Sequence, residues 1–266
     1  MAEFTSKDDI KRQQLKNHFL KRIIIRFDFT SIVNLQDALN HVVALISAPS
    51  RLFGSFNQVS ELKSEMLDNN RLREKEEDRD RPVIYRFTEC LIEPIQNVTL
   101  DLARDFLCMD IHCDERYTLI DPYLKLMTEL MTAIIESDSF VQLRRIGIRK
   151  INGIDEINPA DANGIFEYFS QRLSWNARDE MIQRQYTDNM LCLSLPAYLI
   201  YSRIVRWVPG SQNLRFTLDM DCYKDESFLD KRPEKPWISA ALNAMNEKLF
   251  ELFKMGIKLE YFNKNL

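Results

Sequence analysis

The amino-acid sequence predicts an α+β fold, in which a twisted, mostly antiparallel sheet carries long helices packed on one face. Apolar and polar residues alternate in several short segments, as in half-buried strands, and other segments repeat their apolar residues at helical spacing. Three strands that contain an aspartate, Asp28, Asp110 and Asp219, are each followed by a helix and further strand-like sequence. With only 6 Gly and 9 Pro, the chain is unlike a loop-rich β-sandwich.

The first half of the chain begins with a strand over 22–29, where isoleucine and phenylalanine alternate with arginine and aspartate. Asn34 is a suitable N-cap for a helix over 35–46, whose apolar side chains share one face. The mostly charged segment 58–81 predicts a solvated helix or a mobile loop, with a docking arm as the alternative. Further strands are predicted at 82–88, 97–103 and 106–112.

The middle of the chain contains the clearest helix start, because Asp121 is a suitable N-cap and Pro122 fits the first helical position. An apolar stripe that includes Leu130 predicts that this helix, over 121–136, is buried. The elements expected after it are a strand at 140–154, a helix at 162–175, and a pair of antiparallel strands at 190–208 and 214–223.

The last long helix is predicted to open at Pro236 and to stop at Gly256, a residue suited to a left-handed C-terminal position. The short tail at 257–262 is predicted to return as an edge strand. Because the helices near 35–46, 121–136 and 237–255 each have a single apolar stripe, we expect all three on the same face of the sheet.

Length and composition indicate an ordinary globular protein. With 266 residues, 45% of them apolar, the chain can form a single α+β domain over 1–266, and two packed lobes of about 1–155 and 156–266 are the alternative. The 5 cysteines are unclustered and the 3 histidines lack the spacing of metal ligands. We therefore expect no disulfide framework, no zinc site and no cofactor.

Charge and hydropathy also predict the cellular compartment of the protein. The net charge of −4 gives no overall positive field for nucleic acid or for an anionic membrane. The N-terminal residues are charged, and no window approaches 18 uninterrupted apolar residues. These features predict a cytoplasmic protein without a signal peptide or a membrane span.

The stretch LRRIGIRKINGID at 143–155 is the most distinctive in the chain. Arg145 and Arg149 share one strand face across Gly147, which leaves room for a phosphate, a carboxylate or a partner's side chain. The alternative is that these arginines pair across the sheet with acidic side chains of the same chain. The residues predicted to bind an anion or a partner are Arg144, Arg145, Arg149 and Lys150.

Asp219 and Asp221 form the best candidate for a metal site, because two carboxylates two residues apart share one face of a strand. The same alternation also describes the solvent side of an amphipathic strand. In that interpretation the two aspartates meet Arg145 and Arg149 in cross-strand ion pairs. We predict that at least one of these arginines contacts an acidic side chain within the chain.

The segment RIGIRKING at 145–153 resembles the RiGlRyiN core of a sporadically distributed, uncharacterised prokaryotic protein family of about 250 residues. The resemblance extends to VIYRFTE at 83–89 and to LDMD at 218–221, and so covers most of the chain. It implies a place among mobile accessory genes, such as toxin–antitoxin or phage-defence loci, but it supplies no catalytic residues. Lys150 stands where the family has an aromatic residue.

The sequence contains no GxSxG elbow, Walker loop or Rossmann fingerprint. We therefore expect a non-catalytic interaction or regulatory protein, whose partner is a protein encoded nearby or a second copy of the chain. One alternative is a metal-dependent enzyme that acts on nucleotides or phosphodiesters through Asp219 and Asp221. A second alternative is nucleic-acid binding through the basic strand at 144–150.

Overall fold

The computed structural model describes residues 4–14, 19–47, 51–60, 65–66, 72–73, 83–93, 96–114, 119–158, 161, 186–193, 197–227 and 229–265. The strands are β1 (Leu20–Phe29), β2 (Phe53–Ser60), β3 (Glu65–Met66), β4 (Leu72–Arg73), β5 (Val83–Cys90), β6 (Asn97–Leu102), β7 (Phe106–His112), β8 (Leu143–Ile157), β9 (Tyr186–Leu193), β10 (Tyr198–Trp207) and β11 (Leu214–Asp225). The helices are α1 (Leu35–Ser47), α2 (Asp121–Ser137), α3 (Lys235–Gly256) and α4 (Leu259–Asn265).

Nine of these strands form one sheet, in the order β2-β5-β6-β7-β1-β8-β11-β10-β9, and β3 pairs only with β4. Every pair in the nine-stranded sheet is antiparallel. The predicted α+β class with an antiparallel sheet is therefore confirmed. The predicted strand at 190–208 is divided into β9 and β10, which pair with each other.

The centre of the sheet joins the two halves of the chain. β1, from the first half, pairs with β7 on one side and with β8 on the other. On its buried face Ile23, Ile25 and Phe27 have no solvent exposure, as expected for a strand with alternating apolar residues. The sheet therefore runs through both halves, and the boundary of the alternative two lobes, at about 155, falls within β8.

The three long helices pack on the same face of the sheet, as predicted. α2 lies between α1 and α3 and contacts both, while α3 also contacts β8 and β11. The inner surfaces of the helices and the sheet share one apolar core. The other face of the central strands carries no described helix and is lined by polar side chains.

Two details at helix ends differ from prediction. α2 begins at Asp121 itself, and Ile120 takes the N-cap position without a side-chain cap hydrogen bond. Gly256 lies in the last turn of α3 and does not adopt a positive φ, since Gly210 is the only described glycine that does so. The chain leaves α3 through Ile257 in an extended conformation.

The predicted edge strand at 257–262 is wrong, because the tail forms α4. Phe262 is buried beside Phe253, with 6.2 Å between the ring centroids. Asn263 accepts a hydrogen bond from Phe4 N at 2.8 Å and donates one to Phe4 O at 3.1 Å. These tertiary contacts favour the helix, and six residues are too few for periodicity to separate a helix from a strand.

The predicted helix at 162–175 lies outside the described residues, as does most of the charged segment 58–81. Within 58–81 the structure describes the end of β2 and the short strands β3 and β4. Among the described helices, none combines the length and the hydropathy needed to cross a membrane.

Candidate functional site

The face of the sheet turned away from α1–α3 is here named the open face. It carries the polar half of each amphipathic strand, because successive side chains of a strand point to opposite sides. Its central residues are Arg22, Ile24, Arg26 and Asp28 of β1, Arg145, Gly147 and Arg149 of β8, Asp219, Asp221 and Tyr223 of β11, and Arg86, Asp101, Cys108 and Asp110 of β5–β7.

The two arginines of β8 both contact aspartates of β11. Arg145 Nη2 donates to Asp221 at 2.9 Å. Arg149 donates through Nε to one oxygen of Asp219 at 2.8 Å and through Nη2 to the other oxygen. The prediction that at least one of these arginines contacts an acidic side chain of the chain is therefore confirmed.

These contacts are diagonal in the sheet. The residue directly opposite Arg149 is Asp221, and the residue opposite Arg145 is Asp225. Each arginine therefore reaches past its direct neighbour to an aspartate nearer the start of β11. The Arg145 guanidinium lies 4.4 Å from the ring centroid of Tyr223 on its way to Asp221, so a cation–π contact accompanies the ion pair.

Gly147 allows β11 to lie close to β8 beside Arg145. Its neighbour across the sheet is Tyr223, and a Cβ atom at position 147 would lie 2.9 Å from the Tyr223 Cβ. The space above Gly147, where the sequence suggested room for an external anion, is thus bordered by Tyr223 and by the Arg145 guanidinium. The glycine serves close packing within the sheet.

The same pairing of arginine with aspartate recurs across the open face. Arg86 and Asp101, which are direct neighbours, share two hydrogen bonds of 2.8 Å. Arg22 donates to both oxygens of Asp110, with 2.7 Å for the Nε contact. Arg26 donates to Asp28 at 2.7 Å, and its guanidinium lies 4.4 Å from the Phe106 ring centroid.

The arginines lie further out than their partners. In the five pairs the aspartate side chains are 15–26% exposed and the arginine side chains 35–47% exposed. The guanidinium groups therefore cover the carboxylates. Because a guanidinium has five N–H donors and a two-point ion pair uses two, the outer surface still offers donors to a partner.

The ion pairs favour the charged forms of the arginines. A hydrogen bond from each arginine to its aspartate raises the pKa of Arg149, Arg22 and Arg86 above the ordinary value. Burial raises the pKa of Asp221, and the nearby Arg145 and Arg149 oppose that shift. Five arginines against five aspartates leave the ten paired side chains without net charge.

Arg144 and Lys150, the other two residues predicted to bind an anion or a partner, do not lie on the open face. Arg144 is exposed near the start of β8, with Nε 3.3 Å from a carboxylate oxygen of Glu226. Lys150 faces the helices and is buried, and its Nζ donates to Asn246 Oδ1 at 2.5 Å. The structure therefore brings together only Arg145 and Arg149 of the four residues predicted to bind an anion or a partner.

Asp219 and Asp221 share the open face, as the alternation predicts, and both accept hydrogen bonds from arginine. In the part of the chain that the structure describes, no group of three His, Cys, Asp or Glu side chains is arranged to hold a metal ion. The arrangement observed is that of cross-strand ion pairs.

Sequence reasoning did not connect the remaining members of the open face into one surface. Arg22, Arg26, Asp101 and Asp110 lie on amphipathic strands, yet their pairing depends on strand order. The buried group around Lys150 was missed altogether, because a lysine between apolar residues on a strand gives no signal of what it faces. Comparisons of this chain with protein-family models, with curated proteins and with solved structures found no match.

Proposed function

We propose that this chain is a non-catalytic interaction or regulatory protein of the cytoplasm, which binds a protein partner through the open face of its sheet. The observation that carries the proposal is the layer of half-exposed guanidinium groups above less exposed carboxylates. Arginine and tyrosine are enriched at protein interfaces, and ion pairs that already fix the arginines reduce the entropy lost on binding.

A protein partner suits the charge of this surface better than a nucleic acid does. Nucleic-acid binding depends on cations that neutralise phosphates, whereas each of the five arginines already has an aspartate partner. Lys150 also points away from Arg145 and Arg149, so the basic residues of 144–150 do not act together. Nucleic-acid binding through this strand remains the second alternative, and salt-sensitive retention on heparin is the observation that would favour it.

The metal-dependent alternative requires Asp219 and Asp221 to exchange their arginine partners for a divalent cation. A bound cation would compete with Arg149 and Arg145 for the same carboxylate oxygens. Crystals soaked in magnesium or manganese chloride test it directly. An ion between the two aspartates and a third ligand would replace the present proposal with an enzyme acting on nucleotides or phosphodiesters.

The partner is proposed to be a protein encoded near this gene or a second copy of the chain. A surface of alternating arginine and aspartate is self-complementary, which supports a second copy. The resemblance of 145–153 to a sporadically distributed family supports a partner from a toxin–antitoxin or phage-defence locus.

The test is co-expression of the tagged chain with each neighbouring gene product and with an untagged second copy. We expect one of these proteins to copurify with the wild-type chain. The variant Arg145→Ala/Arg149→Ala should retain at least about tenfold less of that protein. Arg144→Ala is the matched control, because it removes an exposed arginine of the same strand that lies outside the open face.

The result that contradicts the proposal is equal copurification by the wild-type chain and by the folded double variant. Failure of every neighbouring product and of the second copy to bind the wild-type chain would contradict it as well. Circular dichroism and the urea midpoint of each variant show whether the variant is folded before binding is compared.

A further inference from the structure

A second polar group lies on the opposite side of the sheet, inside the core. Lys150 and Asn152 are two residues apart on β8 and share its helix-facing side, where they are only 8% and 6% exposed. Asn246 of α3 accepts a hydrogen bond from Lys150 and is also buried. Arg12, from the N-terminal segment 4–14, reaches the same place, and the four residues are here named the buried polar cluster.

This cluster contains more hydrogen-bond donors than acceptors. Lys150 Nζ donates to Asn246 Oδ1 at 2.5 Å, and Arg12 Nη2 donates to Asn246 O at 2.5 Å. Arg12 Nε and Asn152 Nδ2 are buried and have no hydrogen-bond partner among the described residues. An ammonium group has three N–H donors, and among the described residues Asn246 is the hydrogen-bond acceptor of Lys150 Nζ. A buried donor without an acceptor costs free energy of folding. Two such donors in one cluster therefore favour a ligand that supplies acceptors.

The cluster also has an excess of positive charge. Arg12 contacts Glu247 at 2.8 Å, but the Glu247 side chain is 68% exposed and lies at the rim. No described carboxylate lies within ion-pair distance of Lys150 Nζ. Burial lowers the pKa of Lys150 to about 7, and Arg12 adds to this shift, while Glu247, Cys113 and Asp121 oppose it.

We propose that the buried polar cluster binds a small oxyanion, whose oxygens accept hydrogen bonds from Lys150 Nζ, Arg12 Nε and Asn152 Nδ2. An oxyanion supplies both the acceptors and the negative charge that the cluster lacks. A water molecule supplies acceptors but no negative charge. The chemical class is a carboxylate or a tetrahedral anion of the phosphate type. The ligand is small, because the β8 and α3 members of the cluster are buried.

The N-terminal segment forms the outer wall of this site. Ile10 is buried, the Arg12 guanidinium lies 4.8 Å from the Phe250 ring centroid, and Phe4 is held by Asn263. Arg12 is the most exposed member, with 27% of its side chain accessible. A ligand therefore enters past Arg12, on the side of the sheet opposite the open face, and the site is independent of the proposed protein interface.

The test measures the thermal unfolding midpoint with sodium sulfate or sodium acetate against sodium chloride at constant ionic strength. Sulfate is fully ionised and acetate almost fully ionised at pH 6, and both are fully ionised at pH 8.5, so a large change with pH reports on the protein. We expect a saturable rise in the midpoint with one probe, with an apparent affinity at least about tenfold higher at pH 6, where Lys150 is charged. A response to sulfate indicates a tetrahedral ligand, and a response to acetate indicates a carboxylate.

Lys150→Met keeps the length of the side chain without its charge, and we expect it to abolish the saturable response. Lys21→Met is the matched control, because it removes an exposed lysine that lies on the neighbouring strand, and its response should equal that of the wild type. Asn152→Ala is the second variant if Lys150→Met does not fold, and we expect it to weaken the response about tenfold.

Crystals grown with sodium selenate, an anomalously scattering analogue of sulfate, locate the anion if sulfate is the effective probe. Selenium within hydrogen-bond distance of Lys150 supports the proposal. Equal responses of the wild type and folded Lys150→Met, or selenium only at surface arginines with water at Lys150, would overturn it. Neither outcome bears on the protein interface, which copurification tests separately.

Discussion

Single side chains decide local structure where the backbone has lost its own partners, and Arg232 is the clearest case. α2 ends at Ser137, so the carbonyls of its last turn have no helical donors. Arg232 Nη2 donates to Ile135 O at 2.7 Å, and Nη1 donates to Asp138 O and Val141 O at 3.1 Å each. One guanidinium thus joins the end of α2 to the approach to β8.

Replacing this guanidinium should therefore weaken the fold. We expect Arg232→Lys to lower the free energy of unfolding by about 1–3 kcal/mol, because an ammonium cannot span the same carbonyls. Arg144→Lys is the comparison, since Arg144 pairs only with an exposed glutamate among the described residues, and it should change stability by less than about 0.5 kcal/mol. Urea denaturation of both variants measures the difference, and equal midpoints would contradict this role.

Elements are stabilised chiefly through their buried faces, and the inner face of α2 is an example. It lies between α1 and α3, and Met127, Leu130, Met131 and Ile134 on its inner stripe have no solvent exposure. Most of the stability of such a helix comes from packing and little from its intrinsic propensity.

Leu130→Ala should lower the free energy of unfolding by about 2–5 kcal/mol, through lost transfer energy and the cavity that remains. Lys125→Ala, on the exposed side of the same helix, should have an effect below about 0.5 kcal/mol. A urea midpoint for Leu130→Ala close to that of Lys125→Ala would show that the inner stripe is not packed as the structure describes it.

The contact between β8 and β11 has a different energetic character, because its ion pairs are half exposed. A double-mutant cycle with Arg149→Ala and Asp219→Ala should give a coupling energy of no more than about 1 kcal/mol. We expect Arg149→Ala alone to cost more than that, since Asp219 is only 15% exposed and would lose its partner. A coupling energy well above this value would indicate that the open face is covered in solution.

At the scale of the whole molecule, the buried lysine links stability to pH. Lys150 has an ordinary pKa of 10.5, and burial lowers it to about 7 in the folded protein. Between these values the unfolded chain binds the proton and the folded protein does not. The free energy of unfolding therefore rises with pH across this window, by at most about 1.4 kcal/mol per pH unit.

Lys150→Met should remove this contribution. Its free energy of unfolding, measured in chloride buffers without oxyanions, should exceed that of the wild type most at pH 6, and the two curves should converge as pH rises towards 10.5. Curves that run parallel from pH 6 to pH 10 would show that Lys150 does not titrate differently in the folded protein.

The sequence by itself determined the features that depend on local periodicity. The alternation in β1 set its buried face, single apolar stripes placed α1, α2 and α3 on one side, and the spacing of Arg145 and Arg149 put them on one strand face. These patterns are reliable because the geometry of a strand or helix relates residues only a few positions apart.

Only the tertiary structure decided which of these residues meet. Strand order brought Arg149 to Asp219 across 70 positions of sequence, and packing of α3 on β8 enclosed Lys150 with Asn246. The tail became α4 through its contacts with Phe253 and Phe4. Such contacts depend on register and long-range packing, which are set by the burial energy of the whole core and leave no periodic trace in the residues that they join.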